Sequence, residues 1–385
     1  MYFDGYRRVD GNVGVRNHVL IMPVSYAANY VVENIAKQVP STTYFKHQHG
    51  DFQTGEDLEQ TKRTLEGFAT HPNLYGVILV GMGNESISVD LIHEEAVRVK
   101  KPSFKIKMMD YKGTRKSIVA GVNAANEMLE EAAKVKKVKI PLEELILGTE
   151  CGGSDAWSGV SANPALGHCS DKLVESDGTV ILSETMELMG TEQILEKRAR
   201  TPQLKKEIYT TIERAEQNAL SMGVDIRGTQ PAKGNIEGGI TTIEEKSLGC
   251  VYKGGTTTLM DIIDYAEKPK MKGLVWMDTP GHDVEQLVGM VAGGCQVVVF
   301  TSGRGTPLGS PIAPVIKVAS NTPMYKRMRP NMDINAGVIV EAKKTINQVG
   351  DEMFNKVIEV ASGSETVAEK FGQNEFGIYR IGKSL

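Results

Sequence analysis

The sequence predicts an α/β protein made of Rossmann-like parallel-sheet domains with a substrate crevice between them. Three observations carry this reading. Short apolar runs alternate with segments of helical spacing over the first 140 residues, and the same rhythm returns after residue 255. The apolar runs also end in polar clusters that contain glycine, the pattern of strand ends that bring backbone close to a small ligand. A chain of 385 residues exceeds one compact core. Three regions are expected: an N-terminal α/β domain over 1–140, a middle region over 141–230, and a C-terminal Rossmann-like domain over 231–385.

Strands are predicted over 18–24, 42–45, 75–80 and 104–109, each a short apolar or β-branched run. Helices are predicted between and after them over 27–38, 58–69, 89–99 and 116–135, where apolar residues recur every three or four positions. The middle region opens with the apolar run 142–147, then a strand over 179–182 and a charged helix over 202–219. Residues 230–255, rich in Gly, Lys and Thr, read as a long functional loop. Strands over 274–277, 296–300 and 315–319 follow, with helices over 282–292 and 351–361.

Composition excludes several classes. A formal net charge of −4 is small for this length and argues against nucleic acid as a partner. No apolar run has the length of a membrane span, and the first residues lack the apolar core of a signal peptide. The four cysteines show no CxxC spacing and read as reduced thiols, which places the protein in the cytoplasm. Cys250 and Cys295 are expected to pack rather than react.

The octapeptide Gly148-Thr149-Glu150-Cys151-Gly152-Gly153-Ser154-Asp155 stands directly after the apolar run 142–147. Its carboxylates, thiol and hydroxyl are groups that bind metals or move protons, although Ser154 or Asp155 could equally cap a helix. Other strand ends share the character: 47–51, 81–85, 279–283 and 301–307. In open parallel sheets ligands collect beyond such ends. His47 and His49 lie two apart, and His49, followed by Gly50 and Asp51, is a candidate base or ligand. Arg304, between Gly303 and Gly305, is placed to grip a carboxylate or sulfonate, with Ser302 and Thr306 as hydroxyl donors. Arg16 and Asn17 precede the first predicted strand and reach substrate only if the N-terminal arm folds over the crevice. Asp283 is expected as a first-turn helix residue favoured by the helix dipole. The two Gly-x-Gly turns lack the third glycine and the acidic residue of a dinucleotide site.

Several segments together resemble the altronate/galactarate dehydratase family: residues 5–17, 150–155, 162–164, the long stretch 234–250, 280–283 and 302–307, in family order and over nearly the whole chain. The resemblance implies a lyase that dehydrates a sugar acid to a 2-keto-3-deoxy acid by α-proton abstraction and β-elimination. The alternatives are the large subunit of a (2R)-sulfolactate sulfo-lyase and a non-catalytic binding homologue. It further implies a small anionic substrate, a small partner subunit of the SAF type, a homo-oligomer, and a divalent metal: Fe2+ or Mn2+, with Mg2+ as another candidate. Where family dehydratases carry cysteines after the second and third strands, this chain has Asp51 and Asn84. Cys151, His47, Asp51 and Glu85 are therefore the expected metal ligands. The resemblance makes His49, Lys246 and Glu150 the catalytic candidates, and Arg304, Thr306, Ser302, Arg16, Asn17, Ser154 and Asp155 the substrate-binding ones.

Overall fold

The computed structural model describes residues 1–382 and contains three sheets. A four-stranded parallel sheet, in the order Thr43–Tyr44, His18–Pro23, Leu74–Gly81, Ser103–Lys107, is formed by the N-terminal region. Successive side chains of a strand leave on opposite faces. Ile21, Ile78 and Val80 pack with the helices Asn29–Gln38 and Thr114–Ala132. Leu20, Met22, Val77 and Leu79 pack on the other face with Gly55–Thr70 and Val89–Arg98. A small antiparallel sheet of Tyr2–Arg7, Val13–Gly14 and Val138–Pro141 ties the two ends of this region together.

The larger sheet has seven parallel strands, in the order Leu259–Ile263, Gly273–Met277, Thr179–Leu182, Ile146–Gly152, Val297–Ser302, Val315–Ala319, Ile334–Asn335. Strands from 141–230 and from 231–385 thus interleave in one sheet. The predicted strands and helices stand, with ends moved by a few residues. Residues 230–255 differ from expectation. In place of a long loop they hold the helices Lys233–Glu237 and Ile243–Val251 and the turn Tyr252–Gly254. Thr242 caps the second helix by accepting a hydrogen bond from Glu245 N, and Ile243, Cys250 and Val251 are buried beneath it. Leu259–Ile263 was not legible as a strand because it is an edge strand with polar Asp261 at its centre and a register irregularity. No helix among the described residues is long and apolar enough to cross a membrane.

One core cluster runs through both parallel sheets, from Phe68 and Leu65 to Leu287, Val298 and Phe300. The two halves meet where Gly67 lies against the Ala292 carbonyl. A Cβ on Gly67 would stand 2.3 Å from that oxygen, so the glycine is there for close approach despite its helix cost. Gly67→Ala is expected to lower stability by about 1–3 kcal/mol, read as a fall in the urea midpoint with the slope unchanged.

Candidate functional site

The strand Ile146–Gly152 connects toward Thr179–Leu182 on one side, and its neighbour Val297–Ser302 connects toward Val315–Ala319 on the other. The chain therefore leaves in opposite directions from adjacent strands, and a crevice opens between their carboxyl ends. A cavity of about 450 Å³ lies there, lined by Cys151–Ser154 from the first strand end and Arg304–Thr306 from the second. Glu187, Lys246 and Asp283 complete the wall, with Ala232, Gly234 and Asn235 across the mouth and Gly281 beside Asp283. No residue of the first 140 lines it.

Cys151 forms part of the floor and belongs to a buried group of four donors. Ligand atoms of Cys151, Glu184, Glu187 and Cys250 all lie within 4.8 Å of one another. Cys151 Sγ is 3.7 Å from Glu184 Oε2 and 3.8 Å from Glu187 Oε2, and Cys250 Sγ is 3.3 Å from Glu184 Oε2. Separations of this size are the edges of a tetrahedron of thiolates and carboxylates about a cation such as zinc, given metal–ligand bonds of about 2.0–2.3 Å. The donor set fits a divalent metal. The same donors also hold an internal cation: Lys253 Nζ lies 3.2 Å from Cys151 Sγ and in direct contact with Glu184, both side chains fully buried.

The chain arranges this group through three local devices. Glu184 follows the strand Thr179–Leu182 in the left-handed region, φ 71° and ψ 57°. Thr279 Oγ1 accepts a 2.8 Å hydrogen bond from its backbone N–H, and its Oε1 accepts one from Cys151 N at 3.1 Å. Glu187 lies in the short turn Thr185–Leu188. Lys246 and Cys250 stand four apart on the helix Ile243–Val251 and so share a face. Lys246 Nζ meets Glu187 Oε1 at 2.8 Å, each side chain only 11% exposed.

The electrostatics follow from this packing. Burial raises the Glu187 carboxyl to about 8. Lys246 is pulled down by burial, but the Glu187 carboxylate outweighs that and keeps it above the usual lysine range. A hydrogen bond from Cys250 and the Lys253 ammonium hold the Cys151 thiol well below its ordinary value, against burial. Burial and then Cys151 push Cys250 the other way.

The expected site residues divide. Cys151, Ser154, Lys246, Arg304 and Thr306 do meet at the cavity; Arg304 Nη1 there pairs with Glu237 Oε2 at 3.2 Å. Asp155 and Ser302 lie behind the wall. Asp155 Oδ1 accepts from the Ser158 and Ser320 hydroxyls, and Ser302 Oγ accepts from Gly305 N. Glu150 is fully buried beneath the site. Burial, then Asp283, raises its carboxyl well above the usual range.

The other expected residues are engaged elsewhere. Of the expected metal ligands only Cys151 is in the cluster. His47 and His49 contact the carbonyls of Pro23 and Ile378 through Nε2. Asp51 accepts from Ser86, and Glu85 closes its own turn by accepting from Gly83 N. Both turns belong to the four-stranded sheet of the N-terminal region, whereas Cys151 ends a strand of the seven-stranded one. Arg16 is locked to Glu369 and to the carbonyls of Val15, Val360 and Ser364, and Asn17 donates to Ala132 O. Both hold the N-terminal arm in place. Glu184, Glu187 and Lys253 carried no signal in the sequence, and Cys250 and Asp283, expected as packing and helix-end residues, instead stand at the site. The Thr242-x-x-Glu245 cap was the available signal for the helix that carries Cys250.

Comparison with known proteins agrees with this architecture. The D-galactarate/altronate dehydratase C-terminal family matches residues 142–384. The second domain of D-galactarate dehydratase/altronate hydrolase matches residues 5–133. The chain is 36% identical to an altronate dehydratase of Bacillus subtilis, covering 100% of this chain and 78% of that protein. It is 33% identical to the (2R)-sulfolactate sulfo-lyase subunit beta of Chromohalobacter salexigens, covering 99% and 98% respectively. It is 32% identical to a galactarate dehydratase (L-threo-forming) of Escherichia coli, covering 98% and 76%. The chain belongs to the D-galactarate/altronate dehydratase family.

Proposed function

We propose that this member of the dehydratase family is a carbon–oxygen lyase that removes water from a sugar acid and yields a 2-keto-3-deoxy acid. The observation that carries the reading is the Lys246–Glu187 pair on a cavity wall that also bears Arg304 and the Cys151 cluster. A proton beside a carboxylate is weakly acidic, so the site must stabilise the enediolate left by its removal. The Lys246 ammonium, kept charged by Glu187, faces the reacting carboxylate. Glu187, whose burial makes it a stronger base than an ordinary carboxylate, takes the α-proton. Arg304 exchanges its half-exposed partner Glu237 for the far end of the substrate; an exposed ion pair of this kind is worth at most about 1 kcal/mol and gives way readily. Cys151, Glu184 and Cys250 are the residues that would hold a divalent metal, and such an ion would supply Lewis-acid stabilisation of the enediolate. A donor set with two thiols favours Fe2+ or Zn2+ over Mg2+, and Fe2+ is the candidate shared with the family resemblance.

The test pairs elemental analysis of anaerobically purified protein with a 2-keto acid assay on altronate, galactarate and sulfolactate. Keto acid from a hexonate or hexarate without sulfite is the expected result, with a stoichiometric divalent metal. Sulfite release with pyruvate would instead establish the second reading, favoured by the nearly full-length match to a sulfo-lyase subunit. The name of that relative, a subunit beta, also supports a partner chain, and activity that appears only on adding one would establish it. Neither product with either substrate class would end the lyase reading.

A further inference from the structure

A β-elimination of water needs an acid at the departing oxygen as well as a base at the α-carbon, because hydroxide is a poor leaving group. Two carboxyl groups line the cavity, Glu187 and Asp283. Glu187 is committed to Lys246. Asp283 takes part in no ion pair among the described residues, although it stands in the first turn of the helix Asp283–Ala292. Its carboxyl lies in the space left by the missing side chain of Gly152, where a Cβ would come within 2.3 Å of Asp283 Oδ2. Phe300 closes the same gap, 2.8 Å from that Cβ position. The carboxyl is thereby brought over the strand end that carries Cys151, away from the outward course of a first-turn helix residue.

Resting on the dehydratase reading above, we infer that Asp283 is a catalytic residue of this chain, the acid that gives its proton to the departing β-hydroxyl. The C–O bond breaks with its electron pair staying on oxygen, and the Asp283 proton completes the water molecule. The pair left at the α-carbon forms the C=C bond of an enol, which tautomerises to the 2-keto acid. Solvent then reprotonates Asp283 and takes the α-proton from Glu187. Burial, with Cys151 next, raises the Asp283 carboxyl to about 6, so it keeps its proton to higher pH than an ordinary aspartate.

The test compares wild type with Asp283→Asn and Asp283→Glu in three assays: dehydration of the sugar acid accepted by wild type, exchange of its α-hydrogen in D2O, and fluoride release from the matching 3-deoxy-3-fluoro acid. Fluoride leaves without a proton. Dehydration by Asp283→Asn is expected to fall at least about 100-fold, while exchange and fluoride release stay within a few-fold of wild type, and Asp283→Glu recovers part of the dehydration. Undiminished dehydration would overturn the assignment. So would a parallel loss of all three reactions in a variant whose thermal melt matches wild type. Wild-type protein inactive in all three assays would instead remove the dehydratase reading itself, and the inference with it.

Discussion

Lys253→Met lowers the stability of the folded chain by about 3–5 kcal/mol, the cost of stranding a buried charge whose partner has been removed. Lys253 is among the largest fully buried side chains, and its ammonium contacts Glu184 and Cys151, which are equally enclosed. Removing it leaves a carboxylate and a low-lying thiol with no cation beneath the floor of the cavity. Two companion measurements give the loss its meaning. Adding Glu184→Gln to Lys253→Met should restore part of the stability, since a neutral amide no longer requires a counter-charge. Added Fe2+ or Zn2+ should stabilise the single variant more than wild type, because the metal and the ammonium serve the same donors. A urea-derived loss under 1 kcal/mol would show that Lys253 is not the counter-ion of this cluster.

The same cluster shows how far a sequence reveals a site. The α/β alternation, the strand ends and the octapeptide around Cys151 are local patterns, and they were legible. The partners of Cys151 were not. Cys250 and Lys253 come from a segment whose Gly, Lys and Thr content resembles a loop, and the helix that carries Cys250 and leads into the Lys253 turn is recognised only through the Thr242 cap. Glu184 occupies left-handed backbone space that ordinary residues seldom enter and that sequence does not announce. His47, Asp51 and Glu85 have the chemistry of ligands, yet they close turns on the four-stranded sheet. Which polar strand ends share a crevice is decided by strand order, a long-range property. Asp283 illustrates the same limit: the helix dipole explains its position in the chain, while Gly152 on a distant strand decides where its carboxyl goes.

Lys246→Gln reduces kcat for the sugar acid by about 100–1,000-fold, the usual effect of removing one preorganised group from developing oxyanion charge. The fall should lie in kcat more than in KM, because Lys246 is held by Glu187 before substrate arrives and its gain comes when the carboxylate acquires its second negative charge. Stability should change far less than in Lys253→Met. Burial raises the Glu187 carboxyl to about 8 even beside Lys246, so near neutral pH it holds a proton and leaves no stranded charge when its partner is lost. Two lysines on neighbouring turns of one segment thus separate by function. Lys253, below the floor, carries the fold of the cluster; Lys246, on the wall, carries the reaction. A variant pair in which the two losses were reversed, stability at 246 and turnover at 253, would contradict that division.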